Sequence, residues 1–114
     1  MGFPRKSSLR SSETIGKVIR NGKCITSGPL KLHVMATGVG ERNLFAFAIP
    51  RYGHSIVERN RLRRRLQELV RQLPLAEDGQ LAVLRCGPRA YELEYSELKT
   101  GYDRLVNRIS ADKR

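Results

Sequence analysis

The sequence predicts an α+β domain in which helices pack on a small sheet. Three observations carry this reading. Segments near residues 12–21, 55–73 and 98–109 repeat apolar residues at helical spacing, and residues 30–37 alternate with period two. Short apolar runs at Leu44 to Ile49 and Leu81 to Leu84 have strand length. The 114-residue chain is long enough for one hydrophobic core and too short for two, so a single domain over 1–114 is expected.

Residues 1–10 carry Arg5, Lys6 and Arg10 with little periodicity and read as an extended basic arm. Ser11 or Ser12 can cap a helix over 12–21. Glu13 there suits the helix dipole, Ile15, Val18 and Ile19 form the apolar side, and Gly22 ends it. A short strand is expected near Cys24 to Thr26, before Gly28-Pro29. From Leu30 onward Leu30, Leu32, Val34 and Ala36 share one face, and Lys31, His33, Met35 and Thr37 share a wetter one.

Gly38, Gly40, Glu41 and Arg42 make a turn. The run Leu44 to Ile49 then returns antiparallel as a more buried strand, stopped by Pro50. Ser55-Ile56-Val57-Glu58 fits a capping box, in which hydroxyl and carboxylate satisfy backbone donors at a helix start. That helix runs to about Leu73 on a stripe of Leu62, Leu66, Leu69, Val70 and Leu73, and Pro74 closes it. Leu81 to Leu84 is a further strand and Gly87-Pro88 a turn. Leu98, Tyr102, Leu105, Val106 and Ile109 mark a last helix whose Gly101 costs roughly 1 kcal/mol relative to Ala. Residues 110–114 read as a basic tail.

Lys and Arg number 22 against 11 Asp and Glu, a formal net charge of +11, which points to a polyanionic partner and above all to nucleic acid. A membrane surface would call for bulky apolar anchors or a lipidation signal, but Trp is absent and no such motif appears. Residues 1–14 are polar with no apolar core, so no signal peptide is expected, and no stretch approaches the roughly 18 apolar residues of a membrane span. A soluble, cytoplasmic protein is expected. Cys24 and Cys86 form neither a CxxC pair nor a Cys/His cluster and read as packing thiols. His33 reads as a polar strand residue at the edge of a face and His54 as a surface turn residue. With acids scattered as well, no catalytic residue is assigned to the protein.

Residues 58–65 read Glu-Arg-Asn-Arg-Leu-Arg-Arg-Arg, five arginines in the first half of one helix. Like charges three or four apart cost a few tenths of a kcal/mol per pair, about what a bound polyanion would relieve. On the helical wheel Arg61, Arg64 and Arg71 lie opposite the Leu stripe with Asn60 beside them, while Arg59 and Arg63 emerge near its edge. A planar guanidinium grips phosphate through two donors and stacks on bases, and Asn can donate and accept at a base or sugar edge. Composition leaves a structural ribosomal protein open. A DNA-binding protein is the weaker rival, since no helix-turn-helix or zinc pattern accompanies the helix.

Arg59, Asn60, Arg61, Leu62, Arg63, Arg64 and Glu68 resemble the Arg-Asn-Arg signature of the bacterial ribonuclease P protein subunit. Leu9-Arg10, Glu13, Gly22, the apolar strand before the signature helix, and Glu92-Leu93 to Leu98 extend the resemblance over nearly the whole chain. It implies a mixed four-stranded sheet with three helices in the order α-β-β-β-α-β-α. It also implies a subunit that breaks no bond itself and assists a catalytic RNA in removing the 5′ leader from precursor tRNA. Mg²⁺ would be held mainly by that RNA. The partners implied are ribonuclease P RNA and precursor tRNA, with no membrane and no obligate protein partner.

By position, the resemblance assigns Arg59, Asn60, Arg61, Arg63 and Arg64 to the RNA subunit, with Arg10 and Arg51 as flanking phosphate contacts. It places the leader in a cleft between the first helix and the sheet, at Ile15, Ile19 and His33. A basic residue completes the cleft, for which Arg89 and Arg85 compete. Ile15 and Ile19 stand where Phe is common in the family, and His33 where Tyr is common. Stacking worth roughly 1 to 3 kcal/mol per base is therefore expected to be weaker or differently placed. Pro50-Arg51 replaces paired lysines, and Gln67 replaces a basic residue.

Overall fold

A computed structural model describes residues 8–36, 43–51, 53–73, 75 and 79–112, the last three as backbone only. The turn at 38–42, Pro74, residues 1–7 of the basic arm and the end of the basic tail lie outside the described residues. The element order is α1 (Ser12–Asn21), β1 (Lys23–Ser27), β2 (Leu30–Ala36), β3 (Leu44–Ala48), α2 (Ile56–Gln72), β4 (Gln80–Cys86), a 3-10 helix (Pro88–Glu92) and α3 (Tyr95–Asp112). This is the α+β order that the resemblance implies, with two differences at the C-terminal end. The turn at Gly87-Pro88 winds into the 3-10 helix, and 110–112, read as tail, continue α3.

The sheet order is β1-β2-β4-β3, with β1/β2 and β2/β4 antiparallel and β3/β4 parallel. β3 does run opposite to β2, but it does not pair with it, because β4 lies between them. The physical reason is the run Leu81 to Leu84. Apolar at every position, it suits a strand covered on both faces and paired on both edges. Parallel pairing of β3 with β4 needs a crossover, which α2 supplies.

Each face of the sheet has its own core. On the first, Leu30, Leu32, Val34, Ala82 and Leu84 meet the α2 stripe Leu62, Leu66, Leu69 and Val70 and the α3 residues Leu98, Tyr102, Leu105 and Ile109. Leu73, the last residue of the expected stripe, is only partly buried at the helix end. On the second face, α1 lies over Ala46, Leu81 and Val83. Val18 is buried there, and Ile15, Ile19, Met35 and Leu44 are partly buried around it. The face of β2 expected to be wetter is therefore partly covered by α1: Lys31 stays exposed, but Met35 is partly buried and His33 is 4% exposed rather than a rim residue.

α1 starts where Ser11 Oγ accepts from the Thr14 N–H at 3.2 Å, and it ends at Gly22. A Cβ at Gly22 would stand 2.5 Å from the Val18 carbonyl oxygen and 2.6 Å from that of Val34, so only glycine lets helix and strand approach this closely. Gly28, at φ +56°, and Pro29 turn β1 into β2. Part of the expected arm is anchored. Ser8 bridges Phe45 in parallel, and the Leu9 N–H donates to the Phe45 carbonyl at 2.7 Å. The one apolar side chain there, Leu9, is thereby buried in the second core.

Tyr102 is fully buried, and its hydroxyl has no hydrogen-bond partner among the described residues. Burial holds its phenol well above the ordinary range. An unpaired buried hydroxyl costs about 1 to 3 kcal/mol, so Tyr102→Phe is expected to raise stability by about 1 kcal/mol in urea unfolding. A loss of stability would show that the hydroxyl has a partner.

Candidate nucleic-acid interface

The arginine helix is held by its Leu stripe and by its first turn. Ser55 Oγ accepts from the Glu58 N–H at 3.1 Å, and Glu58 Oε1 accepts from the Ser55 N–H at 3.0 Å, which completes the expected capping box. Behind this turn the His54 ring stacks on Tyr91, with centroids 3.6 Å apart and planes 11° apart. The Tyr91 hydroxyl donates to the Pro50 carbonyl at 2.5 Å. His54 Nδ1 stands 3.7 Å from Glu58 Oε2, an ion-pair distance when the imidazole is protonated. His54 is thus a partly buried stacking residue, not a bare surface one, and it ties the loop before α2 to the 3-10 helix.

With that face buried, Asn60, Arg61, Arg63 and Arg64 are exposed, and Arg59 and Arg65 are partly buried at the two flanks. Arg59, Asn60 and Arg63 line one pocket with Ile49, Arg51 and Ile56. Arg51 and Arg63 continue into a second pocket that reaches Phe47, Arg85 and Cys86 at the ends of β3 and β4. On the opposite flank, Arg61 and Arg65 border Glu58 and Tyr91. Among the described residues Arg71 pairs with Glu68 at 3.2 Å, while Arg59, Arg61, Arg63 and Arg64 form no ion pair. Ile56 and Val57, 65% and 67% exposed, add apolar surface at the helix start.

A second basic surface lies on the α1 side of the sheet. Side chains two apart on a strand share a face, so Lys31 joins His33. Arg85 stands opposite Lys31, and Val83 opposite His33. Lys31 and Arg85 are exposed. Desolvation first, then Arg85 and Lys31, lower the His33 pKa below its ordinary value, so the imidazole is neutral at neutral pH. The structure thus brings Ile15, Ile19 and His33 to one side of the sheet, where Ile15 and Ile19 are partly occupied with packing α1.

Of the two competing arginines, Arg85 shares the face with His33. Arg89 is exposed on the 3-10 helix, next to Ala90 in the opposite core. Arg51 joins Arg59, Asn60 and Arg63. Arg10 is exposed between Leu9 and the α1 cap and lines none of these pockets. Lys31 was legible from the period-two pattern, whereas its pairing with Arg85 depends on register. Among the described residues no group of three or more His, Cys, Asp or Glu could hold a metal ion. No described helix is long and apolar enough to cross a membrane.

A family model for ribonuclease P matches residues 3–110. The chain belongs to the ribonuclease P protein family. The ribonuclease P protein component of Acidothermus cellulolyticus is 28% identical over 113 residues, covering 97% of this chain and 94% of that one. In fold, the chain is similar to the RNase P protein of Staphylococcus aureus, with a TM-score of 0.79 at 9% identity, covering 91% and 94% of the two chains. The RNase P protein of Thermotoga maritima gives 0.77 at 16% identity, covering 89% and 96%.

The cap of the arginine helix is open to a pH test. The hydrogen bond from the Ser55 N–H, then the Ser55 hydroxyl, hold the Glu58 carboxyl below its ordinary value of 4.5. A carboxyl whose pKa is depressed by folding stabilises the fold above its unfolded pKa, and that support is lost as pH falls through the folded pKa. Glu58 is therefore expected to titrate below 4.5 by NMR, and Ser55→Ala to return it toward that value. Titration of Glu58 at or above 4.5 in the unsubstituted protein would show that the box does not persist in solution.

Proposed function

We propose that this protein docks on the RNA subunit of ribonuclease P through α2 and holds the 5′ leader of precursor tRNA on the α1 side of the sheet. The observation that carries the reading is the row Arg59, Arg61, Arg63 and Arg64. These cations are turned outward by a buried Leu stripe and form no ion pair among the described residues. Unpaired guanidiniums at this density suit phosphates, and neutralising phosphates releases the counterions condensed on the RNA. Asn60 adds a group that can donate and accept at a base or sugar edge.

Lys31 and Arg85 would meet the leader as phosphate contacts. Ile15 and Ile19 offer aliphatic surface instead of aromatic rings, and His33 is largely buried. Leader binding here therefore rests more on phosphate and less on stacking. The chemistry belongs to the RNA subunit, which would hold the Mg²⁺, and the reaction would take place in the cytoplasm. The protein contributes affinity and charge neutralisation, so the ribonucleoprotein needs less added cation to fold and bind.

Two outcomes are expected. The protein alone leaves precursor tRNA intact, and with ribonuclease P RNA it gives cleavage at a lower Mg²⁺ concentration than the RNA requires by itself. Robust cleavage by RNA-free protein would falsify the assignment. In addition, Arg61→Ala or Arg64→Ala reduces the slope of log affinity against log salt by ~0.7 to 0.9, the value of one lost phosphate contact. An unchanged slope would move the docking surface off this helix.

A further inference from the structure

The α1 side of the sheet carries a chemistry that RNA binding does not use. Cys24 on β1 is exposed and lies directly opposite His33 on β2, with Sγ 4.0 Å from His33 Nε2. His33 is 4% exposed, and its Nδ1 has no hydrogen-bond partner among the described residues. Lys31 and Arg85 lie on the same face and are exposed. An accessible thiol beside an imidazole that can take its proton, with two cations on the same face, is placed to meet a negatively charged disulfide. Cys86 is the internal contrast. Its Sγ donates to the Ala48 carbonyl at 3.7 Å, and burial pushes its thiol up to about 11. Cys24 is thus not the packing thiol that its sequence context suggests, whereas Cys86 is.

We propose that Cys24 and His33 form a thiol–disulfide exchange site for small, negatively charged disulfides, and that the adduct closes this face to RNA. The second clause rests on the reading of this face as the leader site. With the ring proton on Nδ1, Nε2 offers its lone pair to the thiol hydrogen. The Cys24 sulfur attacks one sulfur of the small disulfide, a new S–S bond forms as the old one breaks, and the departing thiolate takes the proton that Nε2 accepted. Cys24 is oxidised to the mixed disulfide, and half of the small disulfide is released as thiol. Carboxylates on the incoming molecule meet Lys31 and Arg85, the cations proposed for RNA phosphate. Once attached, they occupy the face and offset its charge.

The test uses the full chain and glutathione disulfide, a tripeptide disulfide of net negative charge, followed by intact mass and peptide mapping. A single adduct on Cys24 is expected while Cys86 stays unmodified. Formation should be at least fivefold slower in His33→Gln. Leader RNA affinity should fall at least tenfold on modification and recover with dithiothreitol. Because His33 is buried, the exposed Arg85→Ala provides a second variant. It should slow glutathione disulfide at least threefold more than it slows the neutral 2-hydroxyethyl disulfide. No adduct, equal modification of both cysteines, or rates unchanged in both variants overturns the site. An adduct that leaves RNA affinity unchanged overturns its effect on RNA. If unmodified protein does not bind leader RNA yet Cys24 is selectively modified, the exchange site stands and the leader reading falls.

Discussion

Burial of β4 on both faces is the constraint from which the rest of the architecture follows. Ala82 and Leu84 enter the core beneath α2 and α3, Leu81 and Val83 enter the core beneath α1, and both edges of the strand are paired. A strand of this kind cannot sit at a sheet edge without exposing apolar side chains and unpaired backbone. Once it is central, β3 becomes its parallel neighbour and α2 must cross the sheet to connect them. The arginine helix is where it is because β4 needs a partner on that side.

Magnitudes explain why this helix tolerates its charge. Each like-charged pair costs a few tenths of a kcal/mol, whereas burying a Leu contributes roughly 1.5 to 3 kcal/mol. Leu62, Leu66 and Leu69 therefore outweigh the repulsion among five arginines, with the Ser55–Glu58 box closing the first turn. The helix needs no bound partner to form. Its cations are presented by a rigid element, which reduces the entropy lost on binding.

The two basic surfaces are coupled through strand ends. Arg85 follows the buried run of β4 directly, and one pocket there is shared by Arg51, Arg63 and Arg85. The arginine helix and the α1 side of the sheet thus meet at the carboxyl ends of β3 and β4. A nucleic acid following the cations from one to the other need not cross acidic surface on this path, since the residues lining both pockets include no Asp or Glu.

Much of this was legible in the chain itself, because periodicity and capping act over a few residues. The 3.6-residue spacing of Leu62, Leu66 and Leu69, the Ser55 to Glu58 box and the alternation of β2 each depend on near neighbours alone. They determined the order of elements and the outward face of the arginine helix. Contacts between distant residues required the tertiary structure. Insertion of β4 between β2 and β3, burial of His33 under α1, docking of Leu9 on β3, the stack of His54 on Tyr91, and the choice of Arg85 over Arg89 for the His33 face all join segments whose approach no local pattern encodes. The same holds for the basic helix with which the sequence is most easily recognised. Its arginines and their free side were set by local periodicity, but which pockets they border was decided only when the sheet closed around β4.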